Sequence, residues 1–446
     1  MSTYIKRLEA YGIHNRYNII QNFDDGINIL YGKNGAGKTT ILHILTNLIN
    51  EEFDRFRFID FKEIKVLLSN DETIRIIFLS DENIIKVYKN EKNTLSFSSQ
   101  KFDSYIPKNS SLDSPLLSIA YFPAFRTMIE AWISKNNPVS NTKKRKSDYV
   151  RLISRSIVSK KRLEQKDTLT EFARSSFGEF VPKIYYPSPI EIEARLDYEI
   201  YRARIKIADT EQKLLTQAFL EIFNTLSKDH LQVQEEPSEI LEEIKKISDS
   251  IEDSFIQTPH NSTDSFIMRL RRLVNEVQEV QVDYDSKVMT AKILNVYRDI
   301  LKERAYIQKK SLKEIEIYLN AVNNFLEDKK IEIIDDDIDF SVVASFNDKT
   351  YAPLQSLSSG ERQIITLLYA TTYMSKQNVV LIDEPEISLH VDWQRLLLHK
   401  ISKLMGDKQI IVCTHSPFIA SDYIDNMNEI KKIPYDKNHG QISFSL

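Results

Sequence analysis

Ile29-Leu30-Tyr31-Gly32-Lys33-Asn34-Gly35-Ala36-Gly37-Lys38-Thr39-Thr40 places a glycine-rich loop between an apolar strand and an amphipathic helix. Gly32, Gly37, Lys38 and Thr39 satisfy G-x-x-x-x-G-K-[ST], a pattern whose glycines let consecutive backbone N–H groups turn inward around phosphates. Lys38 adds a point charge for the β- and γ-phosphates, and Thr39 offers a hydroxyl to Mg²⁺. The run Ile41-Leu42-His43-Ile44-Leu45 then opens a helix whose N-terminal dipole end faces the anion. The stretch therefore predicts a nucleoside triphosphate site built from residues 32 to 40.

Composition narrows the setting. The 446 residues are 42% hydrophobic with a formal net charge of −4, enough for a large core and more than one average domain. So balanced a charge gives no global pull toward nucleic acid or an acidic membrane, and any such partner must be met by a local patch. A single cysteine, Cys413, rules out an intrachain disulfide framework and fits a reducing compartment. Met1-Ser2-Thr3-Tyr4-Ile5-Lys6-Arg7 has no apolar signal core, and no run approaches the ~20 apolar residues of a membrane span. The chain is expected to be soluble and cytoplasmic, without a membrane partner. Of its nine glycines, four (Gly32, Gly35, Gly37 and Gly360) fall in nucleotide motifs, which marks where the backbone is unusual.

Along the chain, Tyr4 to Leu8, Tyr17 to Ile20 and Ile27 to Tyr31 read as short strands, and Asp24-Asp25-Gly26 turns into the last. Ile64 to Leu68, Thr73 to Leu79 and Ile84 to Tyr88 form an expected antiparallel meander, and Leu116 to Phe122 a buried strand ending at Pro123 and Arg126. From Lys143 to Arg162 nine Lys or Arg residues oppose one acid, Asp148. Such a run can contact phosphate backbones or simply be a solvated face. Ser188-Pro189-Ile190-Glu191 is a capping box with proline at the first helical position, opening a long helix to about Lys228. Ile240, Ile244, Ile247, Ile251 and Phe255 keep helical spacing on a second helix, Pro259 to Ser262 breaks it, and a third helical region runs from about Asp264 to Leu326. Strands return at Ile331 to Ile334 and Phe340 to Ser345; Asp335, Asp336, Asp337 and Asp339 between them read as a solvated turn.

The remaining chemistry is C-terminal. Leu357-Ser358-Ser359-Gly360-Glu361-Arg362-Gln363 leads into an apolar helix, so Ser358, Ser359, Gly360 and Glu361 stand at a helix N-terminus, a second anion site. Val379 to Ile382 is a continuous apolar strand ending in Asp383 and Glu384, carboxylates that need a metal or a proton to handle. Asp383 suits Mg²⁺ and Glu384 suits polarisation of an attacking water. A third apolar strand, Ile410 to Cys413, delivers Thr414-His415-Ser416-Pro417, and His415 can reach a γ-phosphate.

In this order and spacing the motifs resemble the ABC-type ATPases, in the branch with RecF, the SMC and double-strand-break repair ATPases and the overcoming-lysogenisation-defect nucleases. The resemblance covers about 1 to 125 and 340 to 425, with 126 to 339 as a helical insertion or short arm. It implies an α/β head, a mixed sheet with an antiparallel lobe, that binds ATP and Mg²⁺ and hydrolyses ATP. GKNGAGKTT would be Walker A, LSSGERQ the signature, VVLIDEP Walker B, EISLH the D-loop and THSP the His switch. Lys38, Glu384 and His415 are the implied catalytic residues; Gly32 to Thr40 and Ser358 to Glu361 hold nucleotide; Thr39 and Asp383 hold the metal. Two heads would close head to tail, each signature on the partner's ATP. No glutamine follows the strand at 119 to 122, where the Q-loop belongs, and Gln100 is a distant candidate. His390 stands where transporters place an aspartate, which argues against a transporter.

Among functions, length, short arms and the EPEISLH and THSP forms look like the stand-alone ATPases of the PARIS anti-phage systems, then of Septu. A DNA-repair or DNA-tethering ATPase is the alternative, supported locally by the basic run. Residues 416 to 446 are too few for a nuclease domain, so cleavage is expected from a separate effector protein, with nucleic acid or a phage protein as trigger.

Overall fold

The computed structural model describes residues 3–100, 117–124, 169–184, 189–226, 235–252, 284–335, 340–373 and 378–435. Its first half contains β1 (Ile5–Ile13), β2 (Tyr17–Asn22), β3 (Ile27–Tyr31), α1 (Lys38–Ile49), β4 (Glu63–Leu68), β5 (Thr73–Leu79), β6 (Ile84–Lys89), β7 (Lys92–Ser98) and β8 (Ile119–Phe122). Next come α2 (Pro189–Leu226), α3 (Pro237–Glu252), α4 (Tyr284–Asn323), β9 (Lys329–Asp335), β10 (Phe340–Phe346) and β11 (Tyr351–Ala352). The last part holds α5 (Ser359–Tyr373), β12 (Val379–Asp383), α6 (Val391–Met405), β13 (Gln409–Cys413), β14 (Met427–Glu429) and β15 (Lys432–Pro434). The described residues up to 192 and from 357 onward form one compact unit, and those from 193 to 356 a second.

The first unit is built on two sheets. One is five-stranded and parallel throughout, in the order β14-β3-β13-β12-β8. Its inner strands β12 and β13 are mostly apolar because both faces are covered: all five residues of each are buried, with the polar Asp383 and Gln409 at strand ends. The other is seven-stranded and antiparallel, in the order β15-β2-β1-β4-β5-β6-β7, and β4 to β6 alternate buried with partly exposed residues, as a sheet with one covered face must. Helix α1 is buried on every side from Ile41 to Ile49, its polar His43, Thr46 and Asn47 included, inside a core that also takes Leu8 and Val66 of one sheet and Leu381 and Ile411 of the other. Gln409, 1% exposed, joins the sheets: its side chain accepts from Ile5 N (2.9 Å) and donates to the carbonyls of Ile5 (2.8 Å) and Asp24 (2.9 Å).

This is the expected α/β head, with differences in detail. β1 runs to Ile13, beyond the predicted Leu8, and β8 begins at Ile119, three residues later than predicted, with Leu117 buried ahead of it. In these two sheets three strands escape the sequence pattern. In β7 only Leu95 and Phe97 are buried, too few to stand out, and β14 and β15 are three residues each, ordered by pairing with β3 and β2.

In the second unit α3 and α4 pack through Ile240, Ile244, Ile251, Ala291, Leu294 and Leu301, the predicted stripe on α3 meeting its counterpart. Arg298 on α4 reaches Glu235 (2.8 Å) and Glu243 (3.3 Å) beside it. β9, β10 and β11 form a small antiparallel sheet, held to α4 by the paired bonds of Asn323 with Ile331 and to α2 by Asp197, which accepts from Val342 N at 3.0 Å. The basic run 143 to 162, Phe125 and Arg126, the break at 259 to 262, the part of the third helical region from 264 to 283, and Asp336, Asp337 and Asp339 lie outside the described residues. Among the described residues no helix is long and apolar enough to cross a membrane.

Candidate functional site

Three adjacent parallel strands bring the motifs together. Leu30 at the end of β3 pairs with Cys413 at the end of β13, and Cys413 pairs with Asp383 at the end of β12. One transverse row of the sheet thus sets the phosphate loop, the 414–417 loop and the Asp383-Glu384 pair level, outside the carboxyl ends of the strands, where open α/β sheets bind ligands.

The loop from 32 to 37 turns through left-handed backbone at Gly35 (φ 74°) and Gly37 (φ 99°). Gly37 caps α1 with no side-chain hydrogen bond, and no acidic residue stands in the first turn. The first amides of a twelve-residue helix are therefore left for a bound anion. Lys38 is buried, 6% exposed, and its ammonium donates to Gly32 O at 3.0 Å, folded back on its own loop. Thr39 Oγ1 donates to Asp383 Oδ2 at 2.8 Å. A hydroxyl and a fully buried carboxylate so close are a hard-oxygen pair that fits Mg²⁺, a cation that takes one or two protein oxygens beside phosphate and water. Among the described residues no cluster of three or more His, Cys, Asp or Glu side chains is arranged to hold a metal.

His415 lies between two charges. Its Nδ1 is 3.5 Å from Lys38 Nζ and its Nε2 3.7 Å from Glu384 Oε1. An ammonium can only donate, so for a neutral imidazole Nδ1 is assigned as the acceptor and the ring proton to Nε2, on the side of Glu384. Glu384 itself has φ 45°, left-handed backbone at a residue before proline, where extended geometry is the rule. Its N–H donates to Cys413 O at 2.8 Å, which holds the turn. Beneath, the Cys413 thiol lies 3.6 Å from Lys38 O, and burial, with Asp383 next, pushes its pKa well up, so it is an inert packing group.

Ser358 to Glu361 form a separate locus at the start of α5. Glu361 N–H donates to Ser358 Oγ (3.4 Å) and Ser358 N–H to Glu361 Oε2 (2.8 Å), a reciprocal capping box that commits the Glu361 carboxylate to the helix end. Ser358 and Ser359 are exposed, whereas Gly360 is buried against the 385–389 turn. A Cβ at Gly360 would come within 2.5 Å of Ser388 O, so only glycine fits there. His390 caps α6, accepting from Asp392 N. Gln100 is exposed just after β7.

Sequence reading missed several neighbours of the site. Tyr17 lies beside Gly37 and carries Lys432 Nζ 3.9 Å from its ring centre; burial, opposed by Thr40 and Arg16, raises its pKa. Glu386 and Gln394 brace the 414–417 loop: Glu386 Oε1 accepts from the N–H groups of His415 (2.7 Å) and Ser416 (3.2 Å), and Gln394 Oε1 from Ser416 Oγ (2.6 Å). The EPEISLH string hinted at Glu386 only by holding a second glutamate.

No curated protein matches the chain. Among solved structures it is similar to the Smc head domain with an extended coiled coil from Pyrococcus furiosus, bound to the C-terminal domain of ScpA, at 13% identity over 97% of this chain and 96% of that one (TM-score 0.41). It is also similar to the Smc head domain with a coiled coil and joint from Pyrococcus yayanosii, at 15% over 97% of each (TM-score 0.41). A third is the recombination mediator protein RecF of the RecFOR pathway, at 12% over 97% and 98% (TM-score 0.34). Residues 16–420 match the family described as the AAA ATPase domain, and with its phosphate loop, buried Asp383 and flanking Glu384 and His415 the chain belongs to that family and is an ATPase.

Proposed function

We propose that this ATPase is the sensor and scaffold subunit of an anti-phage defence system, of the PARIS type before the Septu type. It switches a separate effector, a nuclease, through a head-to-tail dimer of heads with ATP between them. The observation that carries the reading is the division of the chemistry into two loci: Lys38, Thr39, Asp383, Glu384 and His415 share one strand-end row, while the exposed Ser359 opens a second helix N-terminus that can meet the nucleotide of a partner copy.

In this reading the first-turn amides of α1 and Lys38 hold the β- and γ-phosphates, and Lys38 exchanges Gly32 O for a phosphate oxygen. Thr39 and Asp383 would hold Mg²⁺, which when bound supplies charge neutralisation on the phosphate oxygens. Glu384 accepts from the attacking water and aligns it with phosphorus. His415, with its proton on Nε2, donates to an oxygen of the terminal phosphate or to that water. The Ser359 hydroxyl and the Ser359 and Gly360 amides of the partner close the other side, so turnover requires assembly. The helical insertion, 126 to 339, is the arm that reports the closed or open state to the effector. The resemblance of EPEISLH and THSP to the defence ATPases supports the biological setting, an argument by analogy because one fold serves many roles.

A cell assay tests it. With this chain and its genomic neighbour expressed together, Lys38→Ala should abolish phage restriction, and so should deletion of the neighbour with this chain intact. If the purified chain degraded nucleic acid and Lys38→Ala left that untouched, the scaffold reading would be wrong.

A further inference from the structure

The imidazole of His415 is more than a third exposed, so packing alone does not fix it. Its backbone is held instead. Thr414 N–H donates to Leu30 O (3.1 Å), ending the sheet ladder. The next two amides, of His415 and Ser416, leave the sheet, and both meet Glu386 Oε1, at 2.7 and 3.2 Å. Ser416 N–H is shared with Thr414 Oγ1 (2.9 Å), but His415 N–H has the shorter bond to the carboxylate. Glu386 is separated from Glu384 by Pro385, and the left-handed backbone at Glu384 splays the two carboxylates so that both address one residue: Glu384 the Nε2 of His415, Glu386 its N–H. The second Glu386 oxygen, Oε2, is buried with no hydrogen-bond partner among the described residues. A carboxylate kept half-satisfied at a site costs stability, which points to a role for the oxygen that is used.

We propose that Glu386 is the positioning residue of His415: by accepting the His415 and Ser416 amides it sets the imidazole between Lys38 and Glu384. The backbone of Pro385 accepts from Gln363 Nε2 on α5 (2.7 Å), so the same segment is anchored to the helix that begins with Ser359. Displacement of the 414–417 loop by as little as about 1 Å removes His415 from reach of both charges, a misplacement of the size that costs on the order of 10²-fold in rate. The inference rests on the catalytic reading of His415 given above.

The test compares Glu386→Ala, Glu386→Asp, Glu386→Gln, His415→Ala and the Glu386→Ala/His415→Ala double variant of the full chain. Steady-state kcat and KM for ATP and the Kd of a fluorescent ATP analogue are measured for each, with thermal melting as the check on folding. Gln keeps the accepting oxygen at full reach, and Asp keeps the charge but falls short by one methylene. Positioning therefore predicts a tenfold to hundredfold loss of kcat for Ala and for Asp, with nucleotide Kd within about twofold, and recovery of most of that loss by Gln. The double variant should be no slower than His415→Ala alone. Independent losses that multiply in the double variant, or an Asp variant faster than Gln, would overturn the proposal. If His415→Ala turns over at the wild-type rate, the catalytic reading of His415 fails first; if it is slow and Glu386→Ala is not, the proposal fails alone.

Discussion

His43, one turn into α1 from Thr39, is buried, with Nε2 2.9 Å from the Tyr121 hydroxyl and its ring edge-on to Tyr121 and Phe180. Burial lowers its pKa from 6.5 to about 3, so the folded protein keeps the ring neutral where the unfolded chain protonates it. A depressed folded value means that the unfolded state binds the extra proton. The stabilisation is therefore complete above about pH 6.5 and is lost as pH falls toward 3. At pH 5 the folded ring is still neutral, so the loss depends on the unfolded value alone: 1.5 pH units below 6.5, at about 1.4 kcal/mol per unit, or about 2 kcal/mol. At pH 7 the same term is about 0.2 kcal/mol.

Other groups of the same unit also have pKa values shifted by folding. Burial raises the carboxyl pKa values of Glu51 and Glu52, with Arg174 opposing it at Glu52, and these contribute in the opposite sense. The measurement must therefore be a difference. Urea unfolding of the wild type and of His43→Gln, followed by tryptophan fluorescence at pH 5, 6, 7 and 8, isolates the histidine, because Gln retains an acceptor for Tyr121 and cannot titrate. The wild type should lose about 2 kcal/mol more than the variant between pH 7 and pH 5, at unchanged m. Curves that run parallel to within about 0.5 kcal/mol would show that His43 is hydrated or already charged in the folded state, and the packing described around α1 would be wrong.

Glu384→Gln should keep ATP affinity and lower kcat by roughly 10²–10⁴-fold, because the amide preserves shape and loses the base; undiminished hydrolysis would remove Glu384 from the catalytic role. Gly360→Ala should destabilise the chain by about 1–3 kcal/mol, since the new Cβ meets the backbone carbonyl of Ser388 at 2.5 Å and helix propensity returns only about 0.5–1 kcal/mol. A melting temperature equal to that of the wild type would mean that the α5 start and the 385–389 turn are not packed as described.

The legible part of the site is the part encoded by neighbours in sequence. Gly35, Gly37, Lys38 and Thr39 announce themselves because one short loop must supply unusual backbone, amides and a cation together. Asp383 is readable because a carboxylate closing an all-apolar strand needs a reason. The fold class follows from the same segments, since buried apolar strands at 379–383 and 409–413 call for a parallel sheet covered on both faces. By contrast β14 and β15 are too short to carry a period and exist only through their partners.

What the sequence withholds is set by contacts across long stretches of chain. Local rules place Glu384, a residue before proline, in extended backbone; its left-handed turn is imposed by a hydrogen bond to Cys413 O, on a strand paired in register with its own. That one inversion decides which way Glu384 and Glu386 point, and so whether the second glutamate of Asp383-Glu384-Pro385-Glu386 is a surface charge or the brace of His415. A left-handed non-glycine residue costs about 1–3 kcal/mol unless its surroundings hold it. Here the Cys413 carbonyl holds its N–H, Gln363 the carbonyl of Pro385 and the His415 and Ser416 amides the next carboxylate, so the strained residue is fixed from three sides. The strain so enclosed sits at Glu384 itself, next to Asp383 and 3.7 Å from the His415 ring, so in the proposed reading the backbone cost of the site falls on the residue that would accept from the attacking water.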